Sequence, residues 1–278
     1  MIPFDFEYYM PENAVEAAAL YRELQEAGKE PFYYAGGTEI VTFCRQQIIK
    51  PGALVDLKSI PEVFVFEPDG DKFNLGACVT LSKLSDSDDY PLLGSVARRV
   101  ADRTVRNRLT LGGNICGSLP YRETILPLLA VGAEAHLVGP EGRRSEPLTA
   151  LFDKRLKLNK GELLVSLTVN RDELKNKSWS RRREYHGPVD YPLCHLVAVR
   201  KRKKLALAVS GLCAYPFRSE ELEGLVNDIN LTPWEQAEKS LERLPGVVRS
   251  DEMASDQYRR AMWKKDLAQM LEEMGGMQ

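Results

Sequence analysis

The feature that most constrains the fold is a glycine pair between an aromatic run and a helical pattern. Residues 32–35 are suited to a strand, Gly36-Gly37-Thr38 follows them, and a short helical pattern covers residues 39–46. The apolar segment 53–57 predicts another strand. The order strand, glycine turn, helix, strand indicates a small parallel βαβ unit, because parallel neighbours need a crossover connection.

The rest of the chain predicts an α+β protein of two domains. At 278 residues it can bury two cores of ordinary size. The chain becomes polar near residues 170–176, which places the boundary there: residues 1–172 form one domain, with subdomains at about 1–57 and 58–172, and residues 173–278 form a smaller carboxy-terminal α+β domain. The elements expected after residue 57 are a hairpin at 63–77, helices at 91–101 and 125–131, a strand at 134–138, a hairpin with strands near 193–199 and 205–214, and helices near 233–243 and 255–274.

Composition favours small molecules and proteins as partners. A net charge of -2 and a pI of about 6.1 give no overall attraction to nucleic acid. The amino terminus has no basic segment before an apolar stretch, and no apolar run is long enough to span a membrane, so we expect a cytoplasmic protein. The five cysteines are widely spaced and form no C-x-x-C pair. We therefore expect neither a metal site nor an iron–sulfur cluster in this chain.

The two glycine segments carry the chemistry. A strand that ends in Gly-Gly-Thr and turns into a helix gathers backbone N–H groups and a helix dipole at one point, which suits a phosphate. Neither a Walker motif nor G-x-G-x-x-G is present, which disfavours an ATPase or a Rossmann dehydrogenase. A second loop, Gly112-Gly113-Asn114, repeats the chemistry, so two loops could hold two phosphates of one ligand. Glu123, nine residues beyond Asn114, offers a carboxylate that can accept from ribose hydroxyls.

The sequence resembles the flavin-binding subunit of the xanthine dehydrogenase and carbon monoxide dehydrogenase family of molybdenum hydroxylases. The resemblance covers nearly the whole chain, and its second matching segment is the most specific. The matching segments are residues 34–40, 106–107 with 110–115, 127–133, Asp190 with 197–199, and 255–259.

The resemblance implies an FAD between the amino-terminal subdomains, with its pyrophosphate held by residues 35–40 and 110–114. It places Glu123, where the family usually has aspartate, at the adenosine ribose, and Leu164 in apolar contact with the flavin. Arg182 stands where many relatives have a lysine close to the isoalloxazine, and His186 where many have an arginine. The cofactor-binding residues expected on this basis are Tyr33, Tyr34, Ala35, Gly36, Gly37, Thr38, Glu39, Ile40, Thr110, Gly113, Asn114, Cys116, Glu123, Leu164 and Arg182.

The resemblance also implies an oxidoreductase subunit. In the family, substrate is hydroxylated at a molybdenum cofactor on a large subunit, electrons pass through [2Fe–2S] clusters on a small subunit, and the flavin delivers them to NAD or another acceptor. Such a chain needs no catalytic base or nucleophile of its own, because the cofactor performs the chemistry. Two alternatives are a stand-alone flavin-dependent reductase and a non-catalytic assembly subunit whose flavin site has decayed.

Overall fold

The amino-terminal unit is a three-stranded parallel sheet with two helices. The computed structural model describes residues 2–185 and 190–275. The strands lie in the order β1-β3-β2, and both pairings are parallel. This confirms the parallel βαβ unit expected from the glycine pair. Its elements are β1 (Glu7–Tyr9), α1 (Ala14–Glu26), β2 (Pro31–Tyr34), α2 (Thr38–Arg45) and β3 (Ala53–Asp56).

The second unit is a five-stranded antiparallel sheet with helices inserted between its strands. The strand order is β4-β5-β10-β6-β7. Its elements are β4 (Phe66–Asp69), β5 (Lys72–Gly76), α3 (Leu81–Asp86), α4 (Pro91–Arg98), α5 (Arg103–Arg106), α6 (Leu111–Cys116), α7 (Ile125–Val131), β6 (Glu134–Gly139), β7 (Gly142–Pro147), α8 (Leu148–Leu151), a short pair of strands β8 (Phe152–Asp153) and β9 (Arg155–Leu156), and β10 (Leu163–Asn170).

The third unit is a three-stranded antiparallel sheet followed by helices. The strand order is β11-β12-β13. The predicted hairpin is present, with longer strands than expected on the tip side, so that only residues 202 and 203 form the turn. The elements are β11 (Ser178–Glu184), β12 (Pro192–Lys201), β13 (Lys204–Ser210), α9 (Glu220–Val226), α10 (Pro233–Lys239) and α11 (Asp256–Gly275).

Two strands are buried on both faces and join the layers. In β10, Leu163 and Val165 pack toward the amino-terminal unit, whereas Leu164 and Leu167 face the helices of the second unit. In β12, Val197 joins that same core, and the alternate positions pack against α11. Alternation along a strand sends successive side chains to opposite faces, so each strand serves two cores. The domain division at residue 172 stays a prediction, because β12 shares a core with the unit before it.

The sequence had assigned no strand to residues 163–170 or 178–184, although β10 is the central strand of its sheet. The strand β10 is an almost unbroken apolar run, which periodicity alone does not distinguish from a helix. In β11 residues 181–184 are all charged and Arg182 among them is buried, which obscured the alternation of the strand. No helix in the described parts of the chain combines the length and the apolar character needed to cross a membrane.

Candidate functional site

The first glycine segment opens α2 and leaves its amino terminus uncapped. Gly37 is the residue before the helix and has φ +73°, the left-handed region where glycine is favoured. Among residues 2–185 and 190–275, no side chain accepts a hydrogen bond from the first-turn amides of this helix. Thr38 and Glu39 therefore present backbone N–H groups and the positive end of the helix dipole to the adjoining space, where an anion is favoured.

The second glycine segment is not a loop, as the sequence had suggested, but the first turn of α6. The Thr110 hydroxyl accepts a hydrogen bond from the Gly113 amide at 3.1 Å and so caps the helix. Glycine is required at 112 by packing, since a Cβ there would lie 2.7 Å from the Cβ of Ala77. The Asn114 side-chain oxygen accepts from the Thr124 hydroxyl at 2.6 Å, which ties α6 to the segment that carries Glu123.

The two segments touch each other. A Cβ on Gly36 would lie 1.8 Å from the backbone oxygen of Arg108, so only glycine allows this approach. The Glu39 carboxylate, in the first turn of α2, accepts from the backbone amide of Ser118 at 3.0 Å and from its hydroxyl at 2.9 Å. The fold thus brings together segments that are far apart in the sequence, since Glu39 and Ser118 are 79 positions apart.

Two cavities meet at this point. The smaller has a volume of about 450 Å³ and the larger about 690 Å³, both within the range of ligand sites. Thr38, Glu39 and Gly113 border both cavities. Of the residues expected from the sequence, the smaller cavity is also bordered by Tyr33, Ala35, Gly36, Gly37, Ile40, Thr110, Cys116 and Leu164, and the larger by Asn114, Glu123 and Arg182.

Tyr34 is the expected site residue that borders neither cavity. Its ring lies beneath the ammonium group of Lys58, 4.3 Å from the nitrogen, beside a third cavity of about 300 Å³. A Cβ added at Gly37 would meet this ring. Tyr34 therefore supports the glycine turn from the side away from the two joined cavities. His186 lies outside the described residues.

Glu123 and Arg182 form a buried ion pair with His195. The Glu123 carboxylate accepts from Arg182 Nε at 2.7 Å and from His195 Nδ1 at 2.6 Å, and all three side chains are at most 4% exposed. The second nitrogen of His195 lies 2.9 Å from the Ser180 hydroxyl. Burial alone would raise the pKa of Glu123, but hydrogen bonds and charges from His195 and Arg182 outweigh it and lower the pKa.

This pairing changes how the predicted residues relate to one another. The resemblance placed Glu123 at the ribose and Arg182 at the isoalloxazine, two different parts of FAD. The structure joins them in one ion pair beside the larger cavity. Leu164 and Arg182 were both expected near the flavin ring system. Leu164 borders the smaller cavity, however, and not the larger one beside Arg182. The contacts of Glu123, Leu164 and Arg182 with FAD stay predictions.

The sequence had missed several residues of the larger cavity. Tyr121 and Tyr191 stack at 4.5 Å between ring centroids, and both border the cavity beside Arg122. His195 stands opposite Arg182 across β11 and β12. The one sequence signal for Tyr121 and Arg122 was their position, because they directly precede the predicted site residue Glu123. The contact between His195 and Glu123 joins residues 72 positions apart, and no local pattern indicates it.

The arrangement suits an elongated ligand with a negatively charged centre and two ring systems. The uncapped amides of α2 lie where the cavities meet, and each cavity has apolar or aromatic walls on its own side. A dinucleotide has this shape, with phosphates between two heterocycles. Within residues 2–185 and 190–275 no three His, Cys, Asp or Glu side chains lie close enough together to hold a metal ion.

We expect Glu123→Gln to destabilise the protein in a pH-dependent manner. The variant removes the buried carboxylate that lies nearest to Arg182, which costs about 3–5 kcal/mol near pH 7. Because the native pKa of Glu123 is lowered, its stabilisation is present above the unfolded pKa of about 4.3 and is lost as the pH falls through the native value. The difference from wild type in urea unfolding should therefore shrink below about pH 4.

The matched control is Glu134→Gln, which removes the carboxylate of a surface pair with Lys72 at 3.0 Å. Both partners are about two-fifths exposed, with side-chain exposures of 39% and 45%. Exposed pairs contribute about 0–1 kcal/mol, so this variant should stay close to wild type at pH 7. Equal losses in the two variants would contradict a special role for the buried pair.

Comparisons with known proteins match the chain to a family of FAD-binding domains. The family model described as "FAD binding domain in molybdopterin dehydrogenase" matches residues 4–170. The carbon monoxide dehydrogenase medium chain of Hydrogenophaga pseudoflava is 33% identical over 177 residues, which make up 61% of this chain and 60% of that protein. The match thus spans under two thirds of that relative. The 6-hydroxypseudooxynicotine dehydrogenase complex subunit alpha of Paenarthrobacter nicotinovorans is 26% identical over 291 residues, with 98% and 96% covered.

The fold is shared with a solved structure as well. Carbon monoxide dehydrogenase from Hydrogenophaga pseudoflava, lacking the Mo-pyranopterin moiety of its cofactor, superposes with a TM-score of 0.86 and 24% identity, over 98% of each chain. At this identity the likeness shows the fold alone. The family match covers more than half of the chain and includes both glycine segments. The chain belongs to the family of FAD-binding domains of molybdopterin dehydrogenases.

Proposed function

We propose that this chain is the FAD-carrying electron-transfer subunit of a molybdenum hydroxylase. It takes electrons from [2Fe–2S] clusters on a small partner subunit, while a large partner subunit holds the molybdenum cofactor and the substrate. NAD or another acceptor receives the electrons. The observation that carries the proposal is the pair of cavities that join at the uncapped amino terminus of α2.

The joined cavities support a specific orientation for FAD. The pyrophosphate lies where both cavities are bordered by Thr38, Glu39 and Gly113. The isoalloxazine occupies the larger cavity, beside Tyr191 and Arg182, because it is the larger ring system and because aromatic and cationic groups suit it. The adenosine half occupies the smaller cavity, where Leu164 contacts it. Under this assignment Glu123 holds Arg182 in place rather than reaching the adenosine ribose.

The protein's own residues bind and orient the cofactor. Bound FAD supplies two-electron chemistry with the acceptor and one-electron chemistry with the clusters. The α2 amides hold the phosphates, and the contact between Gly36 and the Arg108 carbonyl fixes the distance between the two segments. Glu123, which His195 contacts on its other side, holds the Arg182 guanidinium against the cavity wall. A cytoplasmic location stays a prediction from the sequence.

Two other functions differ from this one in testable ways. A stand-alone flavin-dependent reductase would bind FAD and turn over a small substrate without partners. An assembly subunit with a decayed flavin site would bind no FAD. The glycine segments argue against decay, because Gly36, Gly37 and Gly112 occupy positions that only glycine fits without strain or overlap.

The first expected outcome is that the purified chain carries FAD or takes it up. The flavin that is released on denaturation should be FAD rather than FMN, because the two cavities require both halves of the dinucleotide. Titration of the chain with FAD and with FMN, followed by fluorescence, measures this difference. A colourless chain that binds neither flavin would overturn the proposal.

The phosphate site is tested by Gly37→Ala against Gly28→Ala. Both glycines have nearly the same left-handed backbone, with φ +73° and +72°, so each variant should lose about 1–2 kcal/mol through backbone strain. Gly37→Ala should lose more, because its Cβ would also meet the Tyr34 ring, so FAD affinity is compared on the folded fraction of each variant. Gly28 ends α1 far from the cavities, and a Cβ there meets nothing within 4 Å. We expect only Gly37→Ala to weaken FAD binding, by tenfold or more. Equal FAD affinity in the two variants would show that the α2 turn does not hold the phosphates.

The partner subunits are tested by affinity purification of the tagged chain from its native host. The expected result is co-purification of two further chains, one with molybdenum and one with iron, measured by elemental analysis. Substrate-dependent reduction of FAD in the complex should be lost when the iron-containing chain is removed. A tagged chain that is isolated alone, loaded with FAD and active on a substrate would favour the stand-alone reductase.

A further inference from the structure

Arg122 is a buried cation on the wall of the larger cavity. The residue is 5% exposed and has φ +36°, an unusual backbone for a side chain of this size. Its Nη2 donates to the backbone oxygen of Lys154 at 2.5 Å, and its guanidinium carbon lies 5.3 Å from the centre of the Phe152 ring. These contacts fix its position without neutralising its charge.

No carboxylate of the described residues lies within 4.0 Å of the Arg122 guanidinium, although most buried arginines have such a partner. Its Nε is buried without a hydrogen-bond partner. Burial and the nearby charge of Arg155 lower the pKa of Arg122 and outweigh the opposite effects of Cys116 and Glu39, neither of which forms an ion pair with it. A buried charge of this kind is costly unless an anion accompanies it.

Arg182 differs from Arg122 in the same cavity. Its charge is balanced by Glu123, with 2.7 Å between Nε and the carboxylate. Asp190 and Glu184 add further negative charge at 3.7 and 3.4 Å from its Nη1. Around Arg182 the local charge is therefore neutral or negative, although sequence reasoning had made it the positive group near the flavin. The uncompensated positive charge of this cavity belongs to Arg122.

We infer that Arg122, rather than Arg182, supplies the positive charge that stabilises the reduced, negatively charged isoalloxazine of FAD. This inference rests on the proposed function and names the residue that raises the reduction potential of the bound FAD. A flavin that gains two electrons and one proton carries one negative charge on its ring system, and a nearby cation favours that state. Arg122 borders the larger cavity, assigned to the isoalloxazine, and does not border the smaller.

The experiment measures the midpoint potential of FAD on the purified chain and the Kd of oxidised FAD. Arg122→Gln removes the charge, and Arg122→Met removes it while keeping an apolar stem against Phe152. Arg122→Lys retains the charge. The control is Arg171→Gln, since exposed Arg171 also donates to a backbone carbonyl, that of Gly70 at 3.3 Å, and borders neither cavity.

We expect both neutral variants to shift the two-electron equilibrium at least tenfold toward oxidised FAD, which lowers the potential by about 30 mV or more. Arg122→Lys should retain most of the wild-type potential, and Arg171→Gln should match it. The Kd of oxidised FAD should change less than threefold, because the charge acts on the reduced state.

Two results would overturn the inference. One is an unchanged potential in a folded neutral variant that binds FAD. The other is a weaker Kd for oxidised FAD and for ADP with no change in potential, which would place Arg122 on the phosphates. If wild-type chain binds no FAD, the proposed function fails instead, so the two failures are distinguishable.

Discussion

The contact between Gly36 and the backbone of Arg108 is the constraint on which the rest of the site depends. A Cβ at residue 36 would overlap the Arg108 carbonyl, so the parallel unit and the antiparallel unit can approach this closely only through glycine. That approach places the uncapped end of α2 beside the capped end of α6. It also lets Glu39 reach Ser118 across the junction. The joined cavities lie beside this junction, where the Gly36 backbone meets the Arg108 carbonyl with no side chain between them.

The layers around this junction are held by strands that face two cores. Both β10 and β12 are buried on both faces. Successive side chains along each strand therefore pack into different cores. Such strands lose the alternation of apolar and polar residues that identifies a half-buried strand. This explains why the central strand β10 could not be predicted, whereas the parallel unit and the helix over Ile125–Val131 could.

The site also has parts that depend on neighbouring residues and parts that depend on residues far apart in the sequence. The glycine segments could be found from sequence because the strand, turn and helix that make them are contiguous, although packing against Ala77 made the second a helical turn instead of a loop. The partners of Glu123 could not be found, since Arg182 and His195 come from two strands 59 and 72 residues away. Arg182 and His195 lie on one face because the register of β11 and β12 pairs them. This register is set only when the sheet forms, so neither strand alone indicates the pairing.

The same distinction decides which cation can act on a ligand. The resemblance to the molybdenum hydroxylase family predicted Arg182 as the cation near the flavin, because many relatives have a positively charged lysine at that position. The field that a ligand experiences depends on the sum of charges around it, and Glu123 cancels most of what Arg182 supplies. Arg122 has no such partner in the described parts of the chain, and burial keeps water from screening it. An uncompensated buried arginine therefore contributes more to the potential in this cavity than an arginine with a carboxylate 2.7 Å away.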